Sequence, residues 1–430
     1  MSGKRNLVLA LAVAAAVSAP SAFATNGYFT EGEGTVNRGM GGAGIAMPQD
    51  ALAAAVNPAG IVKLGSRMDL GFGLFRPDRK YSISGNLAGL NGGNDGNGDT
   101  NFVIPSFGYN SMIDSTDAFN ISMFGNGGMN TNYKNSVFAP FSGTCNGLTS
   151  SDTCGNTGVN LAQLFVAGSY AKSFDGTSVG GSVIYGYQQF SAYGLQAFDT
   201  AAFSKTPGSV TNNGLDTTSG VGFRLGLLQD INKDVSAGVT YQSKITGKFK
   251  KYSGLFADGG EFNIPSTYGV GVAWKVTPAV QVALDYTKIK YTDSKSVSQP
   301  IENLTVSGHK FGASDGPGFG WKDINVIKLG VQYKSSSDMT LRAGWNHGDN
   351  PIPSSQVAVN ILAPGIVTDH LNLGFTKSMD KSSDFNFVFM HAFEKKLSGA
   401  IPGGAGGFGA GTAELKMSEN FAEISMTKKF

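Results

Sequence analysis

The feature that most constrains this chain is a two-residue rhythm repeated along almost its whole length. In "VGFRLGLLQ", Phe223, Leu225 and Leu227 face one way while Gly222, Arg224 and Gly226 face the other. "VSAGVTYQSK" sets Val235, Ala237, Val239 and Tyr241 against Ser236, Gly238, Thr240, Gln242 and Lys244. Likewise Leu341, Ala343 and Trp345 oppose Arg342, Gly344 and Asn346. Alternation of this kind marks strands with two different faces. Such segments recur at about 68–76, 102–110, 117–124, 161–173, 178–187, 220–229, 234–244, 267–276, 278–289, 325–334, 338–346, 370–377, 383–393 and 416–430, fourteen in all.

The connections have a rhythm of their own. "DGT" after Ser173, "DINK" after Gln229, the single Thr277, "SSS" after Lys334 and "SMDK" after Lys377 are tight turns. Between those hairpins lie long polar excursions at 77–101, 125–160, 188–219, 245–266, 290–324, 347–369 and 394–415. Transmembrane barrels alternate short turns on one side with long loops on the other, and a soluble sandwich has no reason to do so. The expected fold is therefore all-β, a transmembrane antiparallel β-barrel of about fourteen strands. Its apolar row would meet lipid, and the row carrying Arg224, Lys244, Lys328 and Arg342 would face a wet lumen. In a soluble core each of those cations would cost several kcal/mol unless paired.

Both ends agree with export to such a place. Lys4 and Arg5, an apolar run over 7–17 and "SAFA" at 21–24 make a signal-peptide pattern, so residues 1–24 are expected to be removed before Thr25. That run falls short of the roughly 20 residues that span a bilayer, and no longer one follows. The last strand, "FAEISMTKKF", alternates and stops on Phe430, which resembles the C-terminal signature of bacterial outer-membrane barrels. With 61 Gly in 430 residues the chain is poor helix material and suited to close-packed, strongly coiled sheet. A net charge of +2 gives no case for a nucleic-acid partner. Cys145 and Cys154, in "CNGLTSSDTC", are expected to form one local loop disulfide in an exported chain, and without a histidine nearby they do not make a metal site.

Residues 25–66, ahead of a barrel expected over 67–430, do not alternate. Here "DALAAAVNPAG" offers Asp50 as N-cap of a short helix over 51–56, stopped at Asn57, Pro58 and Ala59 because the residue before a proline is pushed out of the helical region. So short a segment cannot bury a core alone. Inside a barrel the wall would supply the missing surface, and the segment would plug the lumen.

The chain resembles the outer-membrane long-chain fatty acid transporter (FadL) family, which also includes aromatic-hydrocarbon uptake channels. The resemblance is carried by "NGYF" and the Gly-rich run to "NPAG", then by "FGNGGMNTNY" at 124–133 and "VSAGVTYQSKITGKFKKYSG" at 235–254, and it closes with "WKDINVIKLGVQYKSSSDMTLRAGWNHGDNPIP" at 321–353. It implies a fourteen-stranded barrel with an N-terminal hatch, acting as a monomer in the bacterial outer membrane among its lipid and lipopolysaccharide. It implies passive uptake of fatty acids or aromatic hydrocarbons, with no cofactor and no catalysis. Each buried methylene is worth about 0.8 kcal/mol, so an apolar groove can capture such molecules without chemical energy. The resemblance further places Phe29 near the ligand and a lateral exit at Gly125, Asn126, Gly127 and Gly128, where a wall strand would kink. Without it, that glycine run reads as a plain loop entrance.

For a carboxylate head the candidates are Arg224, Lys244, Lys328 and Arg342, each of which could instead pair with lumen acids. His309, His347, His370 and His391 sit in no metal spacing or activated-nucleophile pattern. Two other classes stay open at this point: a general diffusion porin, which predicts an open lumen, and a surface adhesin working through its long loops.

Overall fold

A computed structural model describes residues 26–138, 155–404 and 407–430. The signal-peptide pattern, Cys145 and Cys154 lie outside the described residues. The strands, in chain order, are β1 (Arg67–Ser84), β2 (Gly92–Asp95), β3 (Phe102–Met112), β4 (Asp117–Tyr133), β5 (Thr157–Phe174), β6 (Thr177–Tyr193), β7 (Asp216–Asp230) and β8 (Val235–Gln242). They continue with β9 (Thr267–Lys275), β10 (Val280–Ile289), β11 (Ile324–Lys334), β12 (Met339–Gly348), β13 (Asp369–Ser378), β14 (Ser383–Ala400) and β15 (Thr412–Lys429). Each long strand pairs antiparallel with the next, and β15 returns to β1 from Arg67↔Lys429 to Ser84↔Thr412. The four residues of β2 only ride on the upper part of β1, so fourteen strands close the barrel, as the alternation predicts.

The two faces of the wall explain why these residues make strands. Val221, Phe223, Leu225 and Leu227 on β7 are exposed, as are Val270 and Val272 on β9 and Leu371 and Leu373 on β13. The buried face carries Asn110, Asn120, Ser182, Arg224, Asn346, Asn372 and Asn386. Apolar outside and polar inside is the pattern of a barrel whose solvent is lipid. Between Phe174 and Thr177 the turn is Asp175-Gly176, with φ of 43° and 84°, the left-handed pair that a two-residue hairpin needs.

Strand lengths depart from the sequence expectation in both directions. β1, β5, β14 and β15 each run to 18 residues, well into segments read as loops. Beyond the lipid belt the outer face is no longer apolar, so pairing continues where the hydrophobic alternation has ended. β8 stops at Gln242 rather than Lys244. Gln242 and Ser243 are both buried, and Ser243 N donates to Phe223 O at 2.9 Å. That break reverses the facing of the residues after it, so Lys244 is exposed and leaves the inner row.

The expected helix over 51–56 is also corrected. Asp50 Oδ1 does accept Leu52 N at 2.9 Å, but only a 3-10 turn, Ala53–Ala55, forms, followed by a second, Pro58–Lys63. Residues 26–61 are almost all buried and are fastened to the strands on several sides. Arg38 pairs with Glu423 of β15, and Gly44 N and Ile45 N donate to Asp285 Oδ2 of β10 at 2.7 and 2.9 Å. Asn57 Nδ2 donates to Leu227 O of β7 at 3.1 Å, and Asn120 Nδ2 of β4 to Ala51 O at 2.9 Å. Some wall glycines exist for this contact: a Cβ at Gly226 would fall 1.9 Å from Asn57 Oδ1, and one at Gly344 1.9 Å from Gly41 N.

Candidate ligand path

At the long-loop end the connections converge on one small apolar chamber of about 60 Å³. Leu90, Phe138, Phe198, Phe256, Phe311, Leu362 and Phe408 line it, one from each of the seven long excursions. Phe198 is its hub, with ring centroids 5.2 Å from Phe138, 5.9 Å from Phe311 and 5.8 Å from Phe408. No charged side chain lines the chamber among the described residues.

Below it an aromatic column leads inward. Phe256 stands 5.0 Å from Phe262, Phe262 6.2 Å from Tyr28, and Tyr28 5.5 Å from Phe29. Tyr291 and Trp321 flank Tyr28 at 5.1 and 5.7 Å. The polar ends of the two flanking rings are satisfied, while the Tyr28 hydroxyl has no hydrogen-bond partner among the described residues: Tyr291 OH donates to Asn26 O and accepts Tyr28 N at 3.1 Å, and Trp321 Nε1 donates to Asn360 Oδ1 at 2.6 Å. Fixed polar tips hold Tyr291 and Trp321 in one arrangement against Tyr28.

Phe29 also faces a second, polar cavity lined by Thr30, Glu33, Asn126, Arg224, Asp285 and Lys328. Arg224 donates to Gln242 Oε1. Lys328 lies opposite Asp285 in the β10–β11 register. Burial pushes the Glu33 carboxyl up to about 7, against the pull of Arg38 and of Thr30, whose hydroxyl donates to it at 2.9 Å.

Beside this cavity the wall changes. The pairing of β4 with β5 slips between Gly125 and Gly127, leaving Asn126 as an extra residue. The last β3–β4 pair is Phe107↔Met123, after which β3 pairs only with β1 and β4 only with β5. Pro105, without an N–H to offer, lies in that part of β3. Residues 122–131 are all buried, so β4 has lost its lipid face. Its free edge is taken by the N-terminal segment: Phe29 bridges Gly127, Thr30 N donates to Asn126 O at 3.2 Å, and Gly128 N to Tyr28 O at 2.9 Å. A Cβ on Gly127 would lie 2.0 Å from Tyr28 O, so no other residue fits there. Higher up, a strap at 96–98 crosses to β4, with Gly98 N donating to Asn132 O at 2.9 Å.

Of the residues singled out from sequence, Phe29, Asn126, Arg224 and Lys328 meet at one cavity, and Gly125, Gly127 and Gly128 adjoin it. Arg342 does not join them: its Nε donates to Gln49 Oε1 at 3.1 Å and its Nη1 to Thr376 Oγ1 at 2.7 Å. Lys244 is exposed beyond β8. Asn57 caps the turn at Pro58 and Ala59, its Oδ1 accepting Ala59 N at 3.1 Å, against the β7 wall. The histidines hold local contacts, His347 Nδ1 with Asp369 Oδ1 at 2.8 Å and His391 Nδ1 with Asn420 Oδ1 at 2.9 Å. Among the described residues no group of His, Cys, Asp and Glu is placed to hold a metal. The chamber phenylalanines escaped the sequence reading. Their only signal is isolated aromatics scattered through polar, Gly-rich loops, which no periodicity ties together.

The family model described as outer membrane protein transport protein (OMPP1/FadL/TodX) matches residues 11–404. A long-chain fatty acid transport protein of Salmonella typhi is 23% identical over 428 residues, covering 92% of this chain and 93% of that protein. Its namesake in Escherichia coli K12 is 27% identical over 223 residues, 44% of this chain and 48% of that protein. Among solved structures, a Pseudomonas aeruginosa FadL homologue superposes with a TM-score of 0.69 at 16% identity, over 94% of this chain and 100% of that one. The toluene transporter TodX of P. putida gives 0.65 at 19%, over 93% and 99%. At these identities the superpositions establish the fold.

Proposed function

Because the chain belongs to the outer membrane protein transport protein (OMPP1/FadL/TodX) family of hydrophobic-compound channels, we propose that it takes up long-chain fatty acids passively, and that they leave sideways through the wall beside Gly127. The observation that carries this reading is the aromatic column joining an uncharged chamber to a cavity with two cations. An alkyl tail gains about 0.8 kcal/mol per methylene on leaving water for such a chamber. Its carboxylate is matched deeper, where Arg224 and Lys328 line the polar cavity. From there the N-terminal segment acts as a hatch: shifting Tyr28 and Phe29 off β4 would free the edge at Gly127 and open the gap between β3 and β4 to lipid. The barrel acts as a monomer, its wall in outer-membrane lipid and its loops among lipopolysaccharide.

One observation favours a second substrate class. Among the described residues no cation lines the chamber, which suits an uncharged aromatic hydrocarbon as well as a fatty-acid tail. Oleate and toluene uptake, measured in cells lacking their own hydrophobic channels, separates the two. Arg224→Gln with Lys328→Gln is expected to cut oleate uptake and spare toluene. Toluene uptake without oleate uptake in the unaltered protein would sink the fatty-acid reading.

A further inference from the structure

Two successive rungs of the outer wall enclose a groove at the long-loop end of β7 to β10. The lower rung sets Leu227, Val239, Val270 and Tyr286 side by side, and the upper one Leu225, Tyr241, Tyr268 and Lys288. These side chains face away from the lumen: on β10 Leu284 and Tyr286 are exposed with buried Asp285 between them, and the alternation carries Lys288 outward in turn. The groove is apolar, about 430 Å³, and Leu227, Val239, Val270, Tyr241, Tyr268 and Tyr286 line it. Tyr241 stands 5.0 Å from Tyr268 and 5.8 Å from Phe223 between ring centroids. Aromatic rows of this kind mark the level where lipid tails give way to head groups, and the long loops beyond them mark the outer leaflet.

At the upper edge of the groove stand two cations without a counter-charge. Lys288 neighbours Tyr268 on the rung, one strand spacing or about 5 Å away. Lys244 follows Tyr241 by three residues and is exposed beyond the break at Gln242 and Ser243. The acids of this edge are engaged elsewhere: Asp323 by Lys290 and Thr292, Asp293 by Ser266, and Asp349 by Asn325. Among the described residues neither Lys244 nor Lys288 has an ion-pair partner. On the opposite side of the wall the lysines are treated differently, since Lys80, Lys396 and Lys416 each pair with an acid two residues away on the same strand.

We propose that this face binds one molecule of lipid A, the phosphorylated glycolipid base of lipopolysaccharide, with acyl chain in the groove and phosphates on Lys244 and Lys288. The proposal rests on the placement of the wall in the outer membrane and not on which molecule the channel carries. An apolar groove alone would take any lipid tail; the unanswered ammonium groups at its head-group end select an anionic one. Tyr241 and Lys288 are two strand spacings apart, about 10 Å, and lysine stems carry their charges further along an apolar surface. That spread suits a disaccharide with a phosphate at each end better than a phospholipid with a single phosphate. Each ammonium then gains a charge-assisted hydrogen bond at a level where water is scarce.

Native mass spectrometry of the full chain, refolded into detergent free of lipopolysaccharide, tests this. The protein is titrated with bis-phosphoryl lipid A and, in parallel, with phosphatidylglycerol. One lipid A per barrel is expected, bound at least tenfold more tightly than phosphatidylglycerol. Lys244→Gln with Lys288→Gln should weaken lipid A binding about tenfold, while Lys80→Gln with Lys416→Gln should leave it unchanged. Val239→Trp keeps both lysines but fills the groove, and should weaken binding several-fold. Equal affinity of the unaltered protein for the two lipids, or undiminished lipid A binding by a folded, heat-modifiable K244Q/K288Q or V239W protein, overturns the site. Binding is read here without uptake, so the failure of this reading and of the transport reading are separate results.

Discussion

Phe29 and Gly127 face each other across a backbone bridge, so the start of the described chain is hydrogen-bonded to the wall strand at the point where that strand loses its outer neighbour. The contact depends on glycine, since any Cβ at 127 would collide with Tyr28 O. Gly127→Val is expected to push residues 28–30 off β4 while leaving the other strand pairings intact. Uptake should then change markedly although the barrel still runs as a folded, heat-modifiable band on a gel. Unaltered uptake by a folded G127V protein would remove this contact from the transport path.

Arg38 and Glu423 form a buried ion pair, with Arg38 also stacked 4.5 Å over the Phe421 ring and Ser106 Oγ donating to Glu423 at 2.9 Å. Removing one partner strands the other. Arg38→Met or Glu423→Gln alone should each cost about 3–5 kcal/mol. The double variant should cost clearly less than the sum. Denaturant midpoints of all four proteins complete the cycle, and additive costs would show that the two charges do not depend on each other.

Glu33 supplies a pH dependence with a definite sign. Its carboxyl ionises near 7 in the folded protein, because burial disfavours the charge, and near 4.5 when unfolded. Between those values the folded state holds more protons, so this group's contribution to stability is fully present below pH 4.5 and is lost as pH rises through about 7. Glu33→Gln should flatten that part of the stability profile. An identical profile for E33Q would assign the dependence to another group.

Asn57 uses its whole side chain, capping Ala59 N and donating to Ile45 O and Leu227 O. Asn57→Ala should loosen the 58–63 turn by about 1 kcal/mol for the lost cap alone. Faster amide exchange confined to that turn and its β7 neighbours would show it. No change in exchange there would mean the turn is held by packing.

Phe198 is a ring shared by several loops of the chamber. Phe198→Ala should weaken binding of an apolar ligand by about tenfold, the equivalent of roughly 1.4 kcal/mol, while Phe198→Leu should recover most of it. Equal affinities for all three proteins would place capture elsewhere.

How much of the fold and of the ligand path was legible in the sequence depends on what each part rests on. Barrel strands such as β7 and β13 write their lipid-facing side in alternate residues, so their number and order could be read directly. Where β1 and β15 climb beyond lipid that contrast disappears, and Pro77 to Ser84 looked like loop. Lys244 was misplaced because a break at Gln242 and Ser243 carries no compositional mark. Phe29, Arg224 and Lys328 meet only because the N-terminal segment and strands β7 and β11, distant in sequence, line one cavity, which no local pattern encodes. Glu419 and His370 share a rung through β14, a relation visible only once register is known.

Arg38 and Glu423 are separated by 385 positions, which bears on how this protein can be made. The N-terminal segment has its main ionic anchor on a strand synthesised long after it, so its native seat does not exist until β15 is in place. Contacts of such long sequence separation come late and slowly. Until then Arg38 and the apolar residues around it travel without their partners, and the order of assembly is imposed: ring first, filling last. A deletion of β15 would therefore leave the Arg38 segment homeless as well as the wall open.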